Sequence, residues 1–162
     1  MAIDALGLCG DYPVRELAKG ETLIEEGVRT DRLYVLKHGG FDLVRNGVSF
    51  LHIKRPGTFL GEISAVLEGA PSATLVASEP SSVHVIEHAS QVVRSRPELT
   101  LAVAQVLARR LVALTDYLVD IKRQYGGSGS HLALMDRVLA ELATMSDEPG
   151  EVGSERKDVP DY

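Results

Sequence analysis

The 162-residue chain has a single cysteine, no apolar run of membrane-spanning length and no excess of basic residues. Cys9 alone excludes an internal disulfide and a cysteine-rich zinc site. A transmembrane helix needs about 20 consecutive apolar residues, and no signal peptide is recognisable, so we expect a cytoplasmic protein. The formal net charge of −6 argues against a nucleic-acid surface, since phosphate backbones are bound by clustered Lys and Arg.

The C-terminal part of the chain differs in composition from the rest. Residues 147–162 carry six acidic and two basic side chains, which predicts a disordered acidic tail. Residues 126–130 read Gly-Gly-Ser-Gly-Ser, a flexible linker. Residues 131–146 predict an amphipathic helix, with Leu132, Met135, Val138, Leu139 and Leu142 on one side. We therefore expect one main domain over residues 1–125.

The main domain opens with short apolar segments separated by Gly and Pro. The pattern predicts seven strands, at residues 14–18, 22–26, 33–36, 41–45, 49–53, 74–77 and 82–87. Asn46-Gly47 is the strongest hairpin signal, because both residue types tolerate a positive φ. Short, evenly spaced strands of this kind indicate a barrel or sandwich rather than a parallel sheet with crossover helices.

Beyond residue 88 the pattern becomes helical. Residues 89–95 predict a short helix, and Pro97 suits the first turn of a longer one. Apolar residues then recur at alternating spacings of three and four: Ala104, Leu107, Leu111, Leu114, Leu118, Ile121 and Tyr125. This row is typical of a two-stranded coiled coil, so we expect a homodimer through residues 104–125. Packing of the helix on its own barrel is the alternative for part of the row.

One glycine-opened stretch carries the chemistry, Phe59-Leu60-Gly61-Glu62-Ile63-Ser64. Gly61 allows a ligand to approach its backbone closely, and the amides that follow would stabilise an anion at a helix start. Glu62 would accept hydrogen bonds from a hydroxyl group of the same ligand. The motif is short, so a plain glycine turn with a solvated glutamate stays open as an alternative.

The order of the motifs resembles the cyclic-nucleotide-binding domain family, closest to its catabolite-activator (CRP/FNR-like) branch. The resemblance covers about residues 14–125 and rests on motifs that occur in the family's order. They are Lys19-Gly20-Glu21-Thr22-Leu23-Ile24, Glu26-Gly27, Asp31-Arg32-Leu33-Tyr34-Val35-Leu36, Asn46-Gly47, Pro56-Gly57, Phe59-Leu60-Gly61-Glu62-Ile63-Ser64, Ser72-Ala73-Thr74, Pro97-Glu98-Leu99 and Leu107-Ala108-Arg109-Arg110-Leu111. It implies a mainly β fold, an eight-stranded β-roll followed by a long C-terminal helix that pairs two subunits.

The resemblance also implies the ligand, cAMP or cGMP, and the residues that bind it. Residues 59–74 correspond to the family's phosphate-binding cassette, here called the cassette. Gly61 and the amides of Ile63 and Ser64 line the cyclic phosphate, and Glu62 accepts the ribose 2′-hydroxyl. The remaining candidates are Ser72 and Ala73 at the phosphate, Thr74 facing the ligand, and Tyr117, Asp120 or Lys122 at the base.

Pro71 departs from the family pattern, because the position usually holds an arginine that pairs with the cyclic phosphate. Loss of a charge-assisted hydrogen bond would weaken phosphate binding roughly ten- to a hundredfold. Lys54, Arg55 or a residue of the partner subunit would replace that cation. If no cation replaces the arginine, two alternatives stay open. The site prefers a different cyclic nucleotide or a less anionic ligand, or the pocket is degenerate and binds none.

Three functions follow from these observations. The first is a sensor that transmits cyclic-nucleotide binding to an output protein. The second is a dimerisation or protein-interaction module with a degenerate pocket, or a truncated transcription regulator. The truncated regulator is considered because residues 134–143 resemble the start of a winged-helix domain, although no DNA-reading helix follows. An enzyme is not expected: the five histidines have no metal-ligand spacing and no nucleophile beside them.

Overall fold

The computed structural model describes residues 4–124, together with Val138 and Ala140, which are both helical. The chain divides into two compact units, residues 1–109 and 110–162. The strands are β1 (Val14–Leu17), β2 (Thr22–Ile24), β3 (Arg32–His38), β4 (Phe41–Arg45), β5 (Val48–Ile53), β6 (Phe59–Leu60), β7 (Thr74–Ala77) and β8 (Ser81–Glu87). The helices are α1 (Ala5–Cys9), α2 (Glu62–Leu67), α3 (Ala89–Ser95) and α4 (Pro97–Gln124).

The eight strands form two four-stranded antiparallel sheets, which confirms the predicted β-roll. One sheet has the order β1-β8-β3-β6 and the other β2-β7-β4-β5. The β4–β5 hairpin turns at Asn46 and Gly47, whose φ angles are +50° and +76°. Both central residues of a type I′ turn need a positive φ, so the Asn-Gly signal predicted this turn correctly.

Strand β6 is the strand that local sequence patterns missed. Phe59 pairs with Val35 and Leu60 with Tyr34, so these two residues extend the first sheet before the chain turns at Gly61. A segment of two residues is too short to show the alternation of apolar and polar side chains by which a strand is recognised. Its pairing with β3 makes it a strand.

Two apolar clusters hold the first unit together. Leu36, Phe41 and Val83 belong to the cluster between the two sheets. Leu33 and Ile86 belong to the other cluster, in which the first sheet packs against residues of α1, α2, α3 and α4. Residues 33–36 are therefore all buried, because β3 is covered on both faces. Each fully buried Leu or Ile contributes about 1.5–3 kcal/mol relative to exposure.

Cys9 lies in the helical cluster and is completely buried. Burial raises the pKa of its thiol, against a smaller opposing effect of Arg96. The residue is thus a small core side chain.

Helix α4 begins at Pro97, as predicted, and packs through Leu99, Ala102 and Val103. Further along the helix, Leu111 and Leu114 are 46% and 47% exposed. The described part of the chain contains no helix with the length and apolarity needed to cross a membrane.

Several expectations concern residues outside the described part. The 126–130 linker and the 147–162 tail lie outside it entirely, and of the predicted 131–146 helix only Val138 and Ala140 are described. These domain boundaries stay predictions.

Candidate functional site

Gly61 forms a sharp connection between β6 and α2. Its φ and ψ are +83° and 10°, in the left-handed region, and its carbonyl accepts the hydrogen bond of the Ala65 amide at 3.1 Å. A Cβ atom here would stand 3.2 Å from both the Arg32 carbonyl oxygen and Ile24 Cδ1. Glycine is therefore required by conformation and by space. The first amides of a helix have no helical carbonyl four residues earlier to which they could donate, and this holds at the start of α2 as at any helix start.

Glu62 is the first residue of α2 and is only 4% exposed. The alternative of a solvated glutamate is therefore wrong. Glutamate is rarely buried unless other groups stabilise its charge, because desolvation of a carboxylate is costly. Next to it, Ile63 is half exposed and Ser64 is partly buried. A buried carboxylate therefore follows a left-handed glycine directly, and the role of both residues toward a ligand stays a prediction.

The other end of the cassette is attached to the turn after β2. The Pro71 carbonyl accepts a hydrogen bond from the Gly27 amide at 2.8 Å. The Thr74 hydroxyl accepts one from the Glu26 amide at 3.0 Å. Between these anchors Ser72 is exposed and Ala73 is buried.

A small cavity lies where the cassette meets the start of β3. Gly61, Ser64 and Pro71 line it together with Asp31 and Arg32. Its volume is about 10 Å³, which is room for about one water molecule. The remaining cassette candidates do not line this cavity; they are Glu62, Ile63, Ser72, Ala73 and Thr74.

The two charged residues of this cavity were not among the sequence candidates. Asp31 accepts hydrogen bonds from the amide and the hydroxyl of Ser90, at 2.9 and 3.1 Å. The bond from the Ser90 amide is the main reason why the pKa of the Asp31 carboxyl is lowered. Arg32 Nε donates to both carboxylate oxygens of Glu87, at 3.0 and 2.8 Å. That hydrogen bond raises the pKa of Arg32, which is cationic throughout the physiological range.

The two cations that the sequence offered as substitutes lie elsewhere. Lys54 Nζ is 3.3 Å from a carboxylate oxygen of Glu79. Arg55 belongs to the turn before β6, where its carbonyl accepts the Thr58 hydroxyl at 2.7 Å. Neither residue lines the cavity at Pro71.

A larger cavity, of about 460 Å³, adjoins the other side of Arg32 on strands β1, β3 and β8. Arg15, Tyr34 and Glu87 also line it. Arg15 pairs with Glu21 at 2.8 Å, so both arginines have carboxylate partners. Burial raises the pKa of the Tyr34 hydroxyl, so this side chain stays protonated at ordinary pH.

The candidate base contacts lie on the C-terminal half of α4. Tyr117 is 61% exposed, and Asp120 is 3.7 Å from Arg123 in an exposed ion pair. Their role at the base stays a prediction. Within residues 4–124 no three His, Cys, Asp or Glu side chains are close enough to hold a metal ion.

One family model matches part of the chain. Residues 14–91 match the family model described as cyclic nucleotide-binding domain. No curated protein is significantly similar in sequence to this chain.

Solved structures share the fold. The N-terminal domain of a transcriptional regulator from Streptomyces coelicolor A3(2) is 29% identical, with a TM-score of 0.51, over 68% of this chain and 81% of that one. A protein from a cyclic-GMP-dependent signalling pathway that regulates bacterial phytopathogenesis is 24% identical, with a TM-score of 0.58, over 70% and 95%. The catabolite activator protein of Thermus thermophilus is 22% identical, with a TM-score of 0.59, over 93% and 89%. At such identities the last two comparisons indicate the fold alone.

Proposed function

We propose that the protein is a cytoplasmic sensor of cAMP or cGMP, because residues 14–91 match the family model of the cyclic nucleotide-binding domain. The ligand binds at the cassette, and the binding event passes through the helices to an output protein. The chain acts by binding and carries out no catalysis.

The observation that carries this proposal is the pair Gly61 and Glu62. The left-handed glycine turns the chain sharply into α2, and the adjoining carboxylate is buried. A cyclic nucleotide offers a phosphate to the amides of Ile63 and Ser64 and a ribose 2′-hydroxyl to the Glu62 carboxylate. Ser72, Ala73 and Thr74 complete the cassette on the opposite side, and Tyr117 or Asp120 contacts the base.

Ligand binding at this place requires movement. The cavity at Gly61, Ser64 and Pro71 has room for about one water molecule, which is far less than a nucleotide occupies. Helix α2 and residues 68–71 must therefore move away from β3 to admit a phosphate. A ligand that stabilises the moved arrangement shifts the population toward it, which is the basis of signalling.

We propose that α4 pairs two copies of the chain. Leu111 and Leu114, two members of the 3-4 row, are about half exposed in the single chain, and a partner helix would bury them. In a homodimer through residues 104–125, the movement of the cassette would be transmitted to the dimer interface.

Isothermal titration calorimetry with cAMP, cGMP and 2′-deoxy-cAMP tests the sensor proposal. We expect saturable heat with one of the two natural ligands. If cAMP is that ligand, the 2′-deoxy compound binds about ten- to a hundredfold more weakly, because a hydrogen bond to the charged Glu62 is lost. For cGMP the corresponding 2′-deoxy compound is used. Changing the ligand instead of Glu62 leaves the buried carboxylate and the fold intact.

The second candidate function is an association module whose pocket no longer binds nucleotide. Pro71, which has no cation to offer, and the water-sized cavity favour it. Absence of heat at millimolar cAMP and cGMP, with a dimer still present, would support this function and reject the sensor.

A further inference from the structure

Arg32 lines the small cavity of the cassette, and its guanidinium is bonded to Glu87. The position that would carry an arginine is Pro71, and the cavity lined by Pro71 is also lined by Arg32, Gly61 and Ser64. Arg32 comes from β3, nearly 40 positions earlier in the chain, so no local motif connects it with the cassette. The fold alone brings the two together.

The strand order explains this proximity. Strand β3 lies between β8 and β6, and neighbouring strands are about 4.8 Å apart. Arg32 is paired with Glu87 on β8, and Gly61 directly follows β6 on the other side. A Cβ atom on Gly61 would be 3.2 Å from the Arg32 carbonyl oxygen. The long arginine side chain can therefore reach either neighbour of its strand.

The present partner of Arg32 is replaceable. The side chains of Arg32 and Glu87 are 41% and 54% exposed, so solvent screens their attraction. The pairing uses Nε, whereas a guanidinium carries five N–H donors in a planar fork that matches phosphate oxygens. Asp31 also lines the cavity, but both of its carboxylate oxygens accept hydrogen bonds from Ser90.

We propose that Arg32 is the cation that binds the phosphate of the ligand, and that Glu87 is the partner it exchanges for this phosphate. The inference rests on the proposed function and names a binding residue for that site. It replaces the substitutes expected from sequence, Lys54 and Arg55, which do not line the cavity. Exchange of one anion for another keeps the guanidinium paired in both arrangements, so neither arrangement leaves it without a counter-charge.

Calorimetry on five variants, one of them Arg55→Gln, tests this assignment with whichever of cAMP or cGMP binds the wild type. Arg32→Gln should lose ten- to a hundredfold in affinity, and Arg32→Lys, which keeps the charge but not the fork, should lose less. Glu87→Gln should bind the ligand more tightly, by up to about fivefold, because the competing carboxylate is gone. Arg45→Gln, an exposed arginine at the end of β4, is the matched control and should bind like the wild type.

The outcomes separate the inference from the function. Lack of heat with the wild type overturns both. If the wild type binds the ligand and Arg32→Gln binds it equally well, the role of Arg32 is overturned but the proposed function is not. The same holds if Arg55→Gln, and not Arg32→Gln, loses affinity. Circular dichroism and thermal unfolding establish that Arg32→Gln is folded. If Glu87→Gln binds the ligand with the same affinity as the wild type, the exchange of partners is rejected.

Discussion

The carboxylate of Glu68, at the end of α2, accepts a hydrogen bond from the guanidinium of Arg94 on α3. Glu68 itself adopts a left-handed conformation, with φ at +53°. The contact links the cassette helix to α3, and α3 is followed at once by Pro97, where α4 begins. In the proposed movement of α2, this contact would act on the helix that precedes α4.

We predict that Arg94→Gln raises the affinity for the cyclic nucleotide. The ion pair holds α2 in the arrangement with the water-sized cavity, and its removal lowers the cost of moving α2. Arg94 is 75% exposed, so the pair is worth at most about 1 kcal/mol, or roughly fivefold in affinity. Calorimetry measures the change against Arg45→Gln, and weaker binding would mean that the pair belongs to the ligand-bound arrangement.

We predict that Leu114→Glu converts the dimer to a monomer. Leu114 belongs to the 3-4 row and is 47% exposed in the single chain, so a charge there would lie in the helix interface. Val112→Glu is the matched control, since Val112 is 60% exposed and lies off the row. Sedimentation equilibrium should give a monomer mass for the first variant and a dimer mass for the second. A monomeric wild type would reject the interface.

We predict that Gly39→Ala is strongly destabilising. A Cβ atom on Gly39 would meet the Pro80 carbonyl oxygen at 2.6 Å and Ser81 Cα at 2.7 Å, and the φ angle is +89°. Overpacking and the left-handed strain together should cost roughly 2–5 kcal/mol. Gly47→Ala has a similar φ of +76° but nothing within 4 Å, so only the strain of about 1–2 kcal/mol remains. Urea unfolding compares the two, and equal losses would contradict the steric argument.

We predict that Asp31 makes the stability of the domain depend on acid pH. The Ser90 amide bond lowers the pKa of Asp31 in the folded chain, so the unfolded state binds a proton more readily. The stabilisation is complete above the unfolded pKa of about 3.9 and disappears as the pH falls through the lower, folded value. Urea unfolding between pH 6 and the acid limit of folding measures it.

Asp31→Asn should remove that part of the pH dependence. Asparagine also tolerates the positive φ of this position, +50°, so the backbone is not strained by the change. Asp116→Asn, on an exposed part of α4, serves as the control. An identical acid profile of Asp31→Asn and the wild type would refute the role of the Ser90 contact.

The sequence identified the architecture because the signals were local. Glycine and proline separated seven strands, Asn46-Gly47 marked the hairpin, and Pro97 marked the start of α4. The order of motifs from Lys19 onward indicated the family, and the family model matches over residues 14–91.

The burial of Glu62 and the strand at residues 59–60 needed the tertiary structure. Glu62 is buried because segments that are distant in the chain pack around it. A two-residue strand exists only through its pairing with another strand. Neither property has a periodic signal in the chain.

The amino-acid order alone determined where the chain turns, where strands give way to helices and which glycine opens the cassette, because backbone conformation depends on nearest neighbours. Which residues line the cavity at Pro71 was decided by the fold. Strand β3 lies between β8 and β6, and this pairing of distant segments places Arg32 within reach of both Glu87 and Gly61.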